Sequence, residues 1–304
     1  QTTQDFDRSG YRFQYSRALS EAVNLIAGLD YDDQSQAQRA LVYEVPENFD
    51  DARALGPLVR NDLFLFPFEL QTLGVFFQLD YSVNDRLRLS GGVRYEEPEF
   101  TIESGTRVFE FVTDDSGQQV ARPGGRGSSD GYSFNLGANY EVAHELTVFA
   151  NFAQALALPS INQVARLVPP DASLESAEAI EPQVIDNYEI GLRGSAGPVV
   201  YSVAAFFSES EFGENFIYDA QTRLGEYIRA PEEIYGFEVT ADWQVSDNFT
   251  LLSTFSWSEG EFDPDGSGGE GFRAQSALDI QPWKATVLGN YSVNDRINLN
   301  FFVI

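Results

Sequence analysis

The sequence predicts an all-β fold, an antiparallel transmembrane β-barrel, present as about twelve strands in a chain of 304 residues. Three observations carry this expectation. Apolar residues alternate with a period of two over runs long enough to cross a bilayer, tight polar turns recur at nearly even spacing, and every connection at the other end is long. A soluble sandwich would instead turn every 8 to 12 residues or so.

The strands follow in order. The first two fall near residues 11–17 and 23–33, and a long connection is expected over 34–71. A strand at 72–83 then runs into Tyr81-Ser82-Val83-Asn84-Asp85-Arg86, a hexapeptide that recurs at Tyr291 to Arg296. Next, Leu87, Leu89, Val93 and Tyr95 alternate with Arg86, Arg88, Ser90 and Arg94. After a connection over 97–130, Tyr132, Phe134, Leu136, Ala138, Tyr140 and Val142 oppose Ser133, Asn135, Gly137, Asn139 and Glu141. A turn at Ala143-His144-Glu145 opens the strand 145–155, and a third connection spans 156–185. Strands at 187–193 and 198–210 flank the turn Gly194-Ser195-Ala196-Gly197-Pro198. Beyond a connection over 211–233, Tyr235, Phe237, Val239, Ala241 and Trp243 alternate with Gly236, Glu238, Thr240 and Asp242. Strands at 248–257, 283–293 and 296–304 complete the series, with a connection over 260–278.

Four of the tight turns share a preface. Tyr81-x-Val83, Tyr140-x-Val142, Trp243-x-Val245 and Tyr291-x-Val293 each precede three mostly polar residues, after which a new apolar alternation begins. The turns therefore join antiparallel strands whose apolar faces lie on one side, and the Tyr or Trp belongs at a membrane–water boundary. With Gly194–Pro198 as a fifth turn, the centres lie 60, 52, 51 and 47 residues apart, so the repeated hexapeptide marks a structural ruler.

Composition excludes several function classes. With 47 acidic against 19 basic residues the net charge is −28, which repels polyanions and argues against nucleic-acid binding. There is no cysteine, so disulfides, thiol catalysis and Cys-ligated zinc are absent, and a single histidine limits imidazole chemistry. No apolar run reaches the ~18 residues of a transmembrane helix, a test to which barrel strands are blind. No signal peptide stands at Gln1, and the chain stops inside the apolar run Phe301 to Ile304, so a cut from something longer is expected.

The motifs then resemble a family. Gly74-Val75-Phe76-Phe77-Gln78 leads through Asp85-Arg86-Leu87 to Gly92-Val93-Arg94-Tyr95. Phe149-Ala150-Asn151-Phe152-Ala153-Gln154-Ala155 is followed by Pro159-Ser160, and Glu181-Pro182 by Asn187-Tyr188-Glu189-Ile190-Gly191-Leu192. Finally Tyr235-Gly236-Phe237-Glu238-Val239 precedes Trp243-Gln244-Val245-Ser246-Asp247-Asn248. In this order they resemble the C-terminal barrel of TonB-dependent outer-membrane receptors, importers of ferric siderophores and similar scarce ligands. The resemblance implies a bacterial outer-membrane location, a 22-stranded barrel of which residues 1–304 are a part, no enzymatic activity, and no cofactor. It also implies partners: the ferric siderophore, outer-membrane lipid, and TonB acting through a plug domain that this stretch lacks.

Candidate site residues divide between wall and loops. Arg88, Arg94, Asn139, Asn151, Glu189, Arg193, Glu238 and Asp242 fall on the polar parity and are expected to face the lumen, touching plug or water. Phe64, Phe66 and Phe68 share a parity and read either as an aromatic platform for ligand or as wall packing above the membrane. Tyr218, Tyr227 and Arg229 offer phenol and guanidinium groups to an iron chelate, or form a small extra hairpin. Arg107 is a further candidate ligand contact; with Arg122 and Arg126 it is one of the cations of an acidic loop, where solvation is the competing reading. Asp263, Asp265 and Glu270 superficially suggest a calcium loop but lack the EF-hand spacing, so no metal site is assigned. The Gly-rich stretch 122–131 lacks the P-loop Lys-Ser/Thr pair, and His144 lies in a turn without a nucleophile arrangement, so no catalytic residue is assigned.

A ligand-gated receptor is the leading reading. A passive porin or a structural barrel with adhesive loops shares the alternation and needs no plug, and a secreted soluble β protein shares only the strands. The acidic loops favour a neutral or cationic chelate over an anionic one, unless they reflect adaptation of the whole exterior to salt.

Overall fold

The computed structural model describes residues 2–44, 56–107, 120–122, 124–158, 182–219, 224–264, 271–276 and 280–304. Numbered in chain order, its strands are β1 (Thr2–Ala18), β2 (Val23–Tyr43), β3 (Leu58–Ser82), β4 (Leu87–Ile102), β5 (Gly105–Arg107), β6 (Val120–Arg122), β7 (Gly125–Ser128) and β8 (Gly131–Ala143). There follow β9 (Leu146–Ala157), β10 (Gln183–Ala196), β11 (Val199–Asp219), β12 (Leu224–Ser246), β13 (Phe249–Phe262), β14 (Arg273–Ala274), β15 (Lys284–Asn294) and β16 (Ile297–Val303). No helix occurs among the described residues.

Twelve strands form one path, β1-β2-β3-β4-β8-β9-β10-β11-β12-β13-β15-β16, with β5, β6, β7 and β14 attached beside it. All neighbours on that path pair antiparallel, and β1 and β16 lie at its two ends. Because directly paired residues share a face, the register carries each face across the sheet. Through Arg12↔Asp30, Asp30↔Gly74 and Gly74↔Glu96 one polar face passes from β1 to β4, and Asn139↔Phe149 and Asn151↔Glu189 continue it into β10. Phe206↔Gly236 and Thr240↔Thr254 then take it to β13.

The opposite face is apolar and uncovered: Leu136 and Ile190 are 62% and 61% exposed, values that a soluble core would not tolerate in so many neighbours. The buried apolar residues, Phe66, Phe68, Phe100, Ile102, Ala230 and Phe262, lie instead at the end away from the tight turns.

The repeated hexapeptide turns through its asparagine. Asn84 Oδ1 accepts from the Arg86 and Leu87 amides, both at 2.9 Å, and Asn294 Oδ1 accepts from the Arg296 amide at 2.9 Å. Gly197 takes φ of 60°, the left-handed value its turn needs. A further turn of this end, at 19–22, escaped the sequence pattern because it lacks the Tyr-x-Val preface; there Ser20 Oγ accepts from the Ala22 and Val23 amides.

Two of the expected connections are largely strand, and a third is strand in part. Residues 34–43 and 58–71 continue β2 and β3, and 211–219 with 224–233 continue β11 and β12. Within 97–130, β4 runs on to Ile102 and β5, β6 and β7 follow. Ladder hydrogen bonds do not depend on side-chain polarity, so pairing persists beyond the apolar belt where alternation no longer signals it.

Candidate functional site

All eight wall candidates, Arg88, Arg94, Asn139, Asn151, Glu189, Arg193, Glu238 and Asp242, lie on the single polar face. Five are joined to neighbours. Arg94 presents Nη1 and Nη2 to the two oxygens of Asp30, each at 2.7 Å, and its Nε donates to Glu96. Arg12 approaches the same Asp30 at 3.7 Å, and both guanidinium groups lie over the Phe76 ring at 6.0 and 5.9 Å. Phe76 itself lies across Gly28 of the adjacent strand, where a Cβ would run into the ring. The arrangement recurs at Gly191, Phe149 and Arg193, with Arg193 5.8 Å from the ring centre and donating to Asn139 at 3.0 Å. Asn151 donates to Glu189 at 2.8 Å. Asp30, Arg12 and the Arg8–Asp32 pair at 2.9 Å also belong to this face; the alternation in β1 and β2 marks strands but singles out none of these four residues.

Two aromatic rows border the apolar face. Tyr81, Tyr140, Trp243 and Tyr291 form the row beside the tight turns. The second holds Tyr95 against Tyr132 at 5.1 Å between ring centres, then Phe152, Tyr188 and Phe207 at 5.2 and 6.2 Å, and Tyr235 against Trp257 at 6.1 Å. Tyr132 to Tyr140 and Tyr235 to Trp243 each span eight residues. At the usual rise and tilt this is about 27 Å of strand and roughly 20 Å of bilayer, close to the apolar band of an outer-membrane barrel. The eight-residue offset from the first row is the signal that sequence alone offers for the second.

Beyond the second row the apolar face turns acidic. Asp186↔Glu209, Glu209↔Glu233 and Glu233↔Glu261 are direct cross-strand partners, so four carboxylates stand side by side. Tyr188 and Tyr235 hydroxyls approach Glu209 and Glu259 at 3.4 and 3.1 Å.

The loop candidates divide. Phe66 and Phe68 are 3% and 6% exposed, with Phe66 against Gly105, so their rings are engaged in packing; the Phe64 side chain lies outside the described residues. Tyr218 and Tyr227 belong to the paired hairpin of β11 and β12, in which Phe216↔Tyr227 and Tyr218↔Gly225, and their side chains are not described. Arg229, on the same hairpin, lies 5.0 Å over the Phe212 ring. Arg107 pairs by backbone with Leu63 and Val120, Arg122 with Gly105, and Arg126 with Thr101; the side chains of Arg107 and Arg122 are not described. The structure thus groups Tyr218, Tyr227 and Arg229 on one hairpin and leaves the three arginines of 97–130 on another part of the rim. Asp263 is buried, while Asp265 and Glu270 lie outside the described residues. His144 is exposed in its turn, 3.9 Å from Glu141.

Comparison with known proteins agrees with this geometry. The rhizobactin receptor of Rhizobium meliloti (strain 1021) is 26% identical over 333 residues, covering 99% of this chain and 41% of its own length. The ferric aerobactin receptor of Klebsiella pneumoniae is 23% identical over 284 residues, covering 83% of this chain and 37% of its own length. The chain therefore spans about two fifths of these relatives. Among solved structures, the copper transporter OprC superimposes with a TM-score of 0.73 at 16% identity, over 95% of this chain and 42% of that one. The ferric yersiniabactin uptake receptor FyuA from Yersinia pestis superimposes with a TM-score of 0.67 at 16% identity, over 98% and 42%. Residues 1–302 match the family described as TonB dependent receptor-like, beta-barrel, a family of bacterial outer-membrane receptors and not of enzymes, and the chain belongs to it.

Proposed function

We propose that the chain forms part of the wall of an outer-membrane receptor that imports a ferric siderophore with energy delivered by TonB. The observation that carries this reading is the separation of faces: one polar face runs through twelve strands, and its reverse is an apolar band between two aromatic rows. Lipid contacts the apolar band. The polar face lines a hydrated lumen in which Arg88, Arg94, Glu189, Glu238 and Asp242 meet water or a plug domain supplied by further sequence. The end with tight turns is then periplasmic, and the extended hairpins stand outside the cell.

Ligand identity is inferred from relatives named for rhizobactin and ferric aerobactin. The β11–β12 hairpin, with Tyr218, Tyr227 and Arg229, is the candidate capture element. The acidic mouth favours a neutral or cationic chelate.

Uptake of ferric aerobactin by cells that carry the full-length protein as their sole siderophore receptor tests the reading, with and without TonB. TonB-dependent iron accumulation is expected. TonB-independent uptake, together with a large constitutive conductance in planar bilayers, would identify a passive porin. Copper accumulation without iron accumulation would move the substrate toward that of the copper transporter.

A further inference from the structure

At the mouth of the polar face, four side chains from separate segments converge. Glu232 of β12 accepts from Gln183 Nε2 through Oε1 at 2.8 Å. Its Oε2 accepts from Gln275 Nε2 at 2.9 Å and from Asn215 Nδ2 at 3.3 Å. Gln275 Nε2 also lies 3.3 Å from Asn215 Oδ1, closing a triangle, and Asn215 is 1% exposed. Gln183 opens β10, Asn215 lies in the outer part of β11, and Gln275 follows β14, where its backbone amide donates to Gly260 O at 2.8 Å. A carboxylate only accepts hydrogen bonds, so each amide must turn its NH2 toward Glu232.

The neighbouring backbone is built for bending. The β11–β12 register shifts between Ser210 and Gly213, a bulge opposite Pro231, which has no amide hydrogen to give the ladder. At Gly213 a Cβ would collide with the Glu232 carboxyl group, so the absence of a side chain lets Glu232 lie across the bulge. The hairpin beyond this bend carries Tyr218, Tyr227 and Arg229.

We propose that Glu232 is a positioning residue: by gathering Gln183, Asn215 and Gln275 it fixes the outer β11–β12 hairpin at the end of the polar face away from the tight turns. Its consequence for ligand capture rests on the reading of that hairpin given above; the fixing itself does not.

The two oxygens divide the work, which gives a specific test. In Glu232→Gln, the remaining oxygen still serves Asn215 and Gln275, and the new NH2 donates to Gln183 once that amide turns its Oε1 inward, so every bond of the cluster survives without its charge assistance. Adding Gln183→Glu returns a charged acceptor to that bond. Amide hydrogen exchange of 213–219 and 224–230 in the full-length protein in detergent reads hairpin fixing without ligand. Exchange should accelerate modestly in Glu232→Gln and by about tenfold or more in Glu232→Ala, and should return toward wild type in Gln183→Glu/Glu232→Gln. Exchange in β1 to β4 should stay constant, which reports that the barrel has folded. Wild-type exchange in Glu232→Ala, or a double variant no tighter than Glu232→Gln, would overturn the proposal. Ferric aerobactin affinity of the same variants separates the two readings. A loosened hairpin with weakened binding supports both, whereas a loosened hairpin with unchanged binding upholds the fixing role and removes the hairpin from ligand capture.

Discussion

Replacing Asp30 by Asn tests whether the polar face is held by ionic pairing or merely decorated with charge. Asp30 receives two charge-assisted bonds of 2.7 Å from Arg94, and the two side chains are only 18% and 26% exposed. A hydrogen bond to a charged group contributes about 1.5–3 kcal/mol. A fully exposed ion pair contributes about 1 kcal/mol or less. Two parallel bonds in one fork are not additive, and the partial exposure screens them, so a coupling of about 2 kcal/mol is expected, some 30-fold in equilibrium. Arg12 at 3.7 Å and Glu96 on Arg94 keep part of the network in either single variant. The measurement is therefore a double-mutant cycle of Asp30→Asn and Arg94→Gln, by urea unfolding of the full-length protein from lipid vesicles. A coupling below about 0.5 kcal/mol would show that the fork behaves as an exposed pair, and the account of this face as a braced wall would fail.

Further expectations follow from the same geometry. Leu136→Arg, at mid-height of the apolar face, should cost about 2–4 kcal/mol in folding into vesicles, and Thr240→Arg on the polar face far less; equal costs would refute the assignment of faces. Asn84→Ala removes the acceptor for two backbone amides and should cost about 1 kcal/mol, more than Asn294→Ala, whose side chain accepts one; urea midpoints compare them. Glu233→Gln relieves repulsion from both Glu209 and Glu261 and should stabilise by about 0.5 kcal/mol at low ionic strength, fading in salt; a loss of stability at every salt concentration would show that the acidic row is compensated.

The sequence alone determined the strand count along the sheet, the end at which the chain turns tightly, and which parity is polar. These follow from a period-two pattern that a bilayer enforces, because lipid accepts only apolar side chains on one face and the backbone must satisfy its own hydrogen bonds. Hence the polar parity of Arg94, Asn151 and Glu238 was legible without coordinates. The reach of β2, β3, β11 and β12 beyond the apolar belt was not, since ladder pairing there leaves no hydrophobic signature. Parity allows Phe66 and Phe68 either a ligand platform or packing, with packing favoured, and only tertiary structure shows both buried and Phe66 against Gly105 of β5. Partners far apart in the chain needed tertiary structure most. Asp30 meets Arg94 across 64 positions, and Gln275 reaches Asn215 across 60, because register and connection paths bring them together and neither is written in local pattern.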